Sequence, residues 1–103
     1  MSKRLAMLEQ VLAKGSVDPF HHYAHAMELR SVGRKDDALA AFTAVAERFG
    51  DYVPTYLMAA QLADEMGQRD VARSFGTRGL EVATRKGDAH ALSELQSFLQ
   101  TLS

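Results

Sequence analysis

The six residues Gly33-Arg34-Lys35-Asp36-Asp37-Ala38 return 34 positions later as Gly67-Gln68-Arg69-Asp70-Val71-Ala72. Glycine, aspartate and alanine recur at identical places in the two stretches. Three further identities occur at the same offset: Ala26 with Ala60, Thr43 with Thr77, and Glu47 with Glu81. The segments 19–52 and 53–86 therefore align without a gap. A fixed period of this length is typical of stacked helical repeats, whose surfaces usually hold other proteins.

The composition is that of a small globular protein. A chain of 103 residues with 47% apolar side chains is expected to form one domain over 1–103. The formal net charge of −1 favours neither nucleic acid nor a membrane surface as a partner. The chain has no cysteine, which excludes disulfides and thiolate metal sites and fits a cytoplasmic location. No apolar run approaches the roughly 20 residues of a membrane helix, and the first residues do not resemble a secretory signal.

Turn and cap residues divide the chain into six predicted helices. Asp18 followed by Pro19 marks the start of the second helix, and Pro54 opens the fourth. Asp36 is expected to cap the third helix, and Asp70 to open the fifth. No stretch alternates as a strand would. The sequence therefore predicts an all-α fold, an antiparallel stack of helix-turn-helix units joined by turns of two to five residues.

The repeat resembles the tetratricopeptide repeat, a 34-residue helix-turn-helix unit. The resemblance rests on small residues where helices touch, with Phe42 as the aromatic four places after Ala38. These small residues are Ala26 and Ala60 in the first helices, and Ala38 and Ala72 in the second helices. It implies repeats at 19–52 and 53–86, preceded by an N-terminal helix and followed by a capping helix at 88–102. It also implies a non-catalytic protein-interaction module without a cofactor.

In this family the first helix of each unit lines a concave groove, which here would bind a peptide or protein segment. The residues that the register places there are Phe20, Tyr23, Met27, Arg30, Leu57, Gln61, Asp64 and Glu65. Aromatic, Met and Arg side chains of this kind are enriched at binding hot spots. The Lys and Asn clamp that some members use to hold a carboxylate tail is missing. Arg30 against Asp64 and Glu65 leaves the charge of the ligand undecided.

Two alternative functions remain. In the first, two copies of the chain bury these open faces as a homodimer. In the second, His21 and His25, one helical turn apart, bind a metal together with Glu28 a further turn on. The repeat register opposes the metal, because His22 and His25 occupy the places of Tyr56 and Ala59, which face neighbouring helices. The motifs of nucleotide-binding loops, serine hydrolases and zinc proteases are absent from the sequence.

Two glycines fall inside the predicted fifth helix. Gly76 and Gly79 each cost a helix roughly 1 kcal/mol relative to alanine. Close packing of a neighbouring helix against them would offset this cost. We therefore expect Gly76 and Gly79 to form a thin face, a side of the helix without side chains, rather than a phosphate-binding loop.

Overall fold

The computed structural model describes residues 2–102, and this part of the chain contains helices and no strand. The all-α fold predicted from the sequence is confirmed. None of the helices in this range is long and apolar enough to cross a membrane. The six helices are α1 Lys3–Ala13, α2 Pro19–Ser31, α3 Lys35–Arg48, α4 Pro54–Glu65, α5 Arg69–Lys86 and α6 Ala89–Thr101.

The helices form two compact units that divide between Phe49 and Gly50. The first unit holds α1, α2 and α3, and the second holds α4, α5 and α6. Short turns connect the helices within each unit, so consecutive helices run antiparallel and pack along their lengths. That residues 1–103 act as a single domain stays a prediction.

In the first unit, α2 packs between α1 and α3. The Asp18 carboxylate accepts a hydrogen bond of 2.9 Å from the Phe20 N–H, with Pro19 in the first turn, so the predicted start of α2 is confirmed. Ser2 caps α1 in the same way, accepting from the Leu5 N–H at 3.0 Å. Phe42 of α3 is completely buried and forms the centre of this core.

In the second unit, α5 packs against both α4 and α6. Pro54 opens α4 as predicted, and the Tyr56 hydroxyl donates to the carbonyl of Gly50 at 2.6 Å. Gly87, with φ of 69°, ends α5 in the left-handed region that favours glycine. Asp88 then caps α6 by accepting from the Ala91 N–H at 3.0 Å.

The expected cap at Asp36 is wrong, whereas Asp70 lies in the first turn of α5, close to the predicted start of that helix. Arg34 and Gln68 hold the N-cap positions, and neither α3 nor α5 has a side-chain cap. The preceding glycine turn explains the shift, because the Arg34 N–H donates back to the last turn of α2 at the carbonyl of Leu29, 2.9 Å away. The next helix starts directly after this bond. Both aspartates therefore lie inside the first turn, where a carboxylate still interacts favourably with the helix dipole.

The repeated alanines lie at helix contacts, as the register predicts. Ala26, Ala38, Ala60 and Ala72 have no exposed surface. Such burial of a methyl group leaves no room for a larger side chain, and close approach of two helices needs small residues at the contact.

Replacing Ala38 by leucine should therefore destabilise the protein by about 1–3 kcal/mol through overpacking. Ala40→Leu is the matched control, because Ala40 lies on the same helix and is exposed. This control should stay within about 0.5 kcal/mol of the parent. Urea denaturation followed by circular dichroism measures both. Equal midpoints for the two variants would show that the register assigned to α3 is wrong.

Candidate functional site

Four of the predicted binding residues lie on α2, in the first unit. Phe20 is 52% exposed, an unusual state for a large apolar side chain. Tyr23, Met27 and Arg30 are half-buried, and the Tyr23 ring lies 6.1 Å from the ring of Phe42. The α2 face thus presents one exposed aromatic side chain, Phe20, beside three side chains that are partly buried in the first unit.

The other four predicted residues lie on α4, in the second unit. Leu57 and Gln61 are half-buried, and Asp64 and Glu65 are exposed. The structure brings Leu57 and Gln61 together in one groove with residues of α6. That the α2 and α4 sets share one surface stays a prediction.

The groove of the second unit runs between α4 and α6 and encloses about 380 Å³. Leu57 and Phe98 supply its large apolar side chains, and both are half-buried. The other five lining residues are polar and supply hydroxyl, amide and carboxylate groups. The lining residues are Leu57, Gln61, Ser93, Glu94, Ser97, Phe98 and Thr101. The α4–α6 groove therefore combines two apolar side chains with a polar surround, as protein interfaces do.

The two glycines of α5 allow α4 and α6 to pack against it closely. A Cβ atom built on Gly79 would lie 2.7 Å from the Tyr56 Cβ on α4 and 3.0 Å from both methyl carbons of Leu95 on α6. One built on Gly76 would lie 2.7 Å from a methyl carbon of Leu99. The predicted thin face is confirmed. Because α4 and α6 both lie against the same point of α5, they also lie side by side and form the groove.

The charges around the groove are unequally distributed. Neither α4 nor α6 contains a Lys or Arg, and every Lys and Arg of residues 50–102 lies on α5. Glu94 lines the groove, its side chain is 50% exposed, and its Oε1 lies 3.1 Å from His90 Nε2. Asp64 extends the stripe of Leu57 and Gln61 along α4, one turn further on. The rim is therefore acidic.

A second cavity, of about 280 Å³, lies in the first unit between α2 and α3. His22 and Phe49 form one wall, with ring centroids 5.2 Å apart, and the Arg48 guanidinium lies 4.9 Å from the Phe49 ring centre. The remaining lining residues are His25, Ala41, Ala44 and Val45. The repeat register predicts that His22 and His25 face neighbouring helices, but it does not predict a cavity beside them.

Two of the three histidines of α2 hydrogen-bond to Ser16, in the turn that precedes this helix. His21 Nδ1 lies 2.7 Å from the Ser16 hydroxyl, and the His22 Nε2–H donates to the Ser16 carbonyl at 2.8 Å. His25 Nε2 lies 3.7 Å from a Glu9 carboxylate oxygen, which is too long for a hydrogen bond. Among residues 2–102, no three His, Asp or Glu side chains converge as a metal site would need.

The contribution of α6 to the groove was not predicted from the sequence. The resemblance implies only a capping helix at 88–102, whereas α6 supplies more than half of the residues that line the α4–α6 groove. These residues are Ser93, Glu94, Ser97, Phe98 and Thr101. One signal was present: α2, α4 and α6 begin at a constant interval, at Pro19, Pro54 and Ala89. By this spacing α6 occupies the place of a further first helix, the type of helix that lines the groove in the repeat family.

These features define a helical-repeat protein, and comparison with solved structures gives the family. A solution structure of a tetratricopeptide repeat domain protein from Salinibacter ruber is 34% identical, with a TM-score of 0.81, over 84% of this chain and 88% of that one. A crystal structure under the same description gives 35% identity and a TM-score of 0.78, over 82% and 94% of the two chains. A solution structure of a Bordetella parapertussis protein is 25% identical with a TM-score of 0.83, over 99% and 89%.

The chain belongs to the tetratricopeptide repeat family. No family model matches the sequence, and no curated protein does either. The fold is one that generally mediates interactions between proteins.

Proposed function

We propose that this protein is a non-catalytic interaction module that binds a segment of a partner protein. The proposed binding faces lie on α2 and α4, the first helices of the two repeats, and on α6, which occupies the corresponding place after them. The α4–α6 groove carries the proposal. It combines two large apolar side chains, Leu57 and Phe98, with the polar side chains of Gln61 and Glu94. A shallow surface with two apolar side chains can receive the anchor residue of a bound segment, and the surrounding polar side chains can fix its orientation.

The α2 face supports the same function in the first unit. Phe20 is exposed, and Tyr23, Met27 and Arg30 lie on the same side of the helix at helical spacing. Aromatic and Arg side chains contribute most strongly to binding energy at protein interfaces. The proposed setting is the cytoplasm, which suits a chain without cysteine.

The test of this function starts by selecting peptides that bind the intact protein from a random displayed library. The affinity of the selected peptides is then compared between the parent and its variants. Leu57→Ala combined with Phe98→Ala should weaken the selected peptides by about 2 kcal/mol or more, because the two anchors of the groove are lost. Fluorescence anisotropy measures the affinities, and circular dichroism checks that helicity is kept. Tyr23→Ala combined with Arg30→Ala should have an effect of similar size on peptides that use the α2 face.

Met7→Ala is the matched control, since Met7 is 64% exposed but lies on α1. It removes a large exposed apolar side chain without touching either proposed face. Peptides that lose affinity with Met7→Ala but bind the groove and α2 variants normally would show that the binding surface lies elsewhere. Self-association that the groove variants abolish would instead favour the homodimer.

A further inference from the structure

We propose that the α4–α6 groove selects a cationic amphipathic segment, one with a large apolar anchor flanked by Lys or Arg. This inference rests on the proposed function and adds the chemistry of the partner. It starts from charge complementarity, since an acidic rim around an apolar floor attracts positive groups and disfavours negative ones.

Two carboxylates define the acidic rim. Glu94 lines the groove on α6, and Asp64 lies on α4 in the same stripe as Leu57 and Gln61. Both side chains are reachable, because Glu94 is half exposed and Asp64 is exposed. Leu57 and Phe98 line the same groove as Glu94, and Asp64 follows Gln61 one turn further along α4, so an apolar anchor in the groove would have anionic groups beside it.

The four arginines of this unit, all on α5, contact groups other than the side chains that line the groove. Arg69 and Arg73 of α5 both donate to the carbonyl of Leu102, beyond the end of α6. Arg78 lies over the rings of Tyr56 and Phe75, at 5.6 and 5.5 Å. Arg85 pairs with Asp51. The side chains of α4 and α6 that form the groove therefore present carboxylates without a Lys or Arg among them.

The probe is a labelled helical peptide of Leu and Lys, compared with the same peptide in which every Lys is Glu. We expect the Lys peptide to bind more tightly at low salt, and the difference to shrink at high salt as the rim charges are screened. Glu94→Gln combined with Asp64→Asn should weaken the Lys peptide roughly three- to tenfold.

Glu81→Gln combined with Asp70→Asn is the matched control. It makes the same change in net charge on exposed positions of α5, outside the groove, and should leave the Lys peptide unaffected. An equal loss with this control would show that only the overall charge matters and would overturn the proposal.

The remaining outcomes separate this inference from the proposed function. If the Glu peptide binds as tightly, and Leu57→Ala with Phe98→Ala still abolishes its binding, the groove is a binding site but the assigned charge is wrong. If those groove variants change neither peptide, both proposals fail.

A second copy of the chain is the competing occupant, because α1 carries Lys3 and Arg4 beside exposed Met7. Self-association that Met7→Glu and Glu94→Gln each abolish would overturn the assignment to a separate partner. Sedimentation over a range of protein concentrations measures it.

Discussion

Phe42→Ala should lower the free energy of unfolding by about 3–5 kcal/mol, the largest loss expected from a single change in the first unit. The Phe42 side chain has no exposed surface, and its ring packs against the ring of Tyr23. Alanine would leave a cavity that the surrounding helices close only in part. Since small domains are stable by about 5–15 kcal/mol, the variant should unfold at a much lower urea concentration.

Phe20→Ala is the control for this change. It removes the same side chain from a position that is 52% exposed, so stability should change by about 0.5 kcal/mol at most. The pair also separates folding from binding, because Phe20 belongs to the proposed α2 face. If both variants lose the same stability, Phe20 is part of a core and cannot be offered to a partner.

Gly79→Ala should destabilise the second unit by about 2 kcal/mol, although alanine is the better helix former. The new methyl group would lie 2.7 Å from the Tyr56 Cβ, which is fixed to the backbone of α4 and cannot rotate away. It would also press on both methyl carbons of Leu95. To accept it, α4 and α6 must move away from α5.

Gly76→Ala is the same substitution, one turn earlier on the same helix. The atoms nearest to its methyl group would be the Cγ and methyl carbons of Leu99, which can move by a change of side-chain rotamer, whereas a Cβ such as that of Tyr56 cannot. The gain in helix propensity should then offset most of the clash, leaving stability within about 1 kcal/mol of the parent. Thermal or urea unfolding measures the stability of the two variants. Equal losses of unfolding free energy for Gly76→Ala and Gly79→Ala would contradict the close contact at Gly79.

The fold was predictable because the 34-residue repeat appears at positions where the structure accepts few other residue types. Gly33 and Gly67 are needed where the backbone adopts a positive φ, of 86° and 77°. Ala38 and Ala72 are needed where helices touch. The helix starts were less predictable, because Asp36 and Asp70 are equally suited to an N-cap and to the first turn. The backbone hydrogen bonds of the glycine turns, from Arg34 N–H to the Leu29 carbonyl and from Gln68 N–H to the Ala63 carbonyl, determine which of the two positions each aspartate takes.

The candidate site was predictable only on the helices that the repeat register covers. Leu57 and Gln61 were placed on the α4 face by their offset from Tyr23 and Met27. Phe98 and Glu94 could not be placed in this way, because the side chains of α6 do not repeat those of α2 and α4. Their position depends on how α6 packs on α5, and two glycines within another helix determine that packing.

The glycines of α5 also bear on the order in which the second unit folds. A helix with two glycines near its middle has a weak tendency to form by itself, and nucleation of any isolated helix is already unfavourable. Much of the stability of α5 must therefore come from its packing against α4 and α6, which meet it at Gly79 through Tyr56 and Leu95. We expect this unit to gain its helices together with their tertiary contacts rather than to build outward from α5. Mutational analysis of the folding rates would test this, because substitutions at Tyr56 and Leu95 should then slow folding.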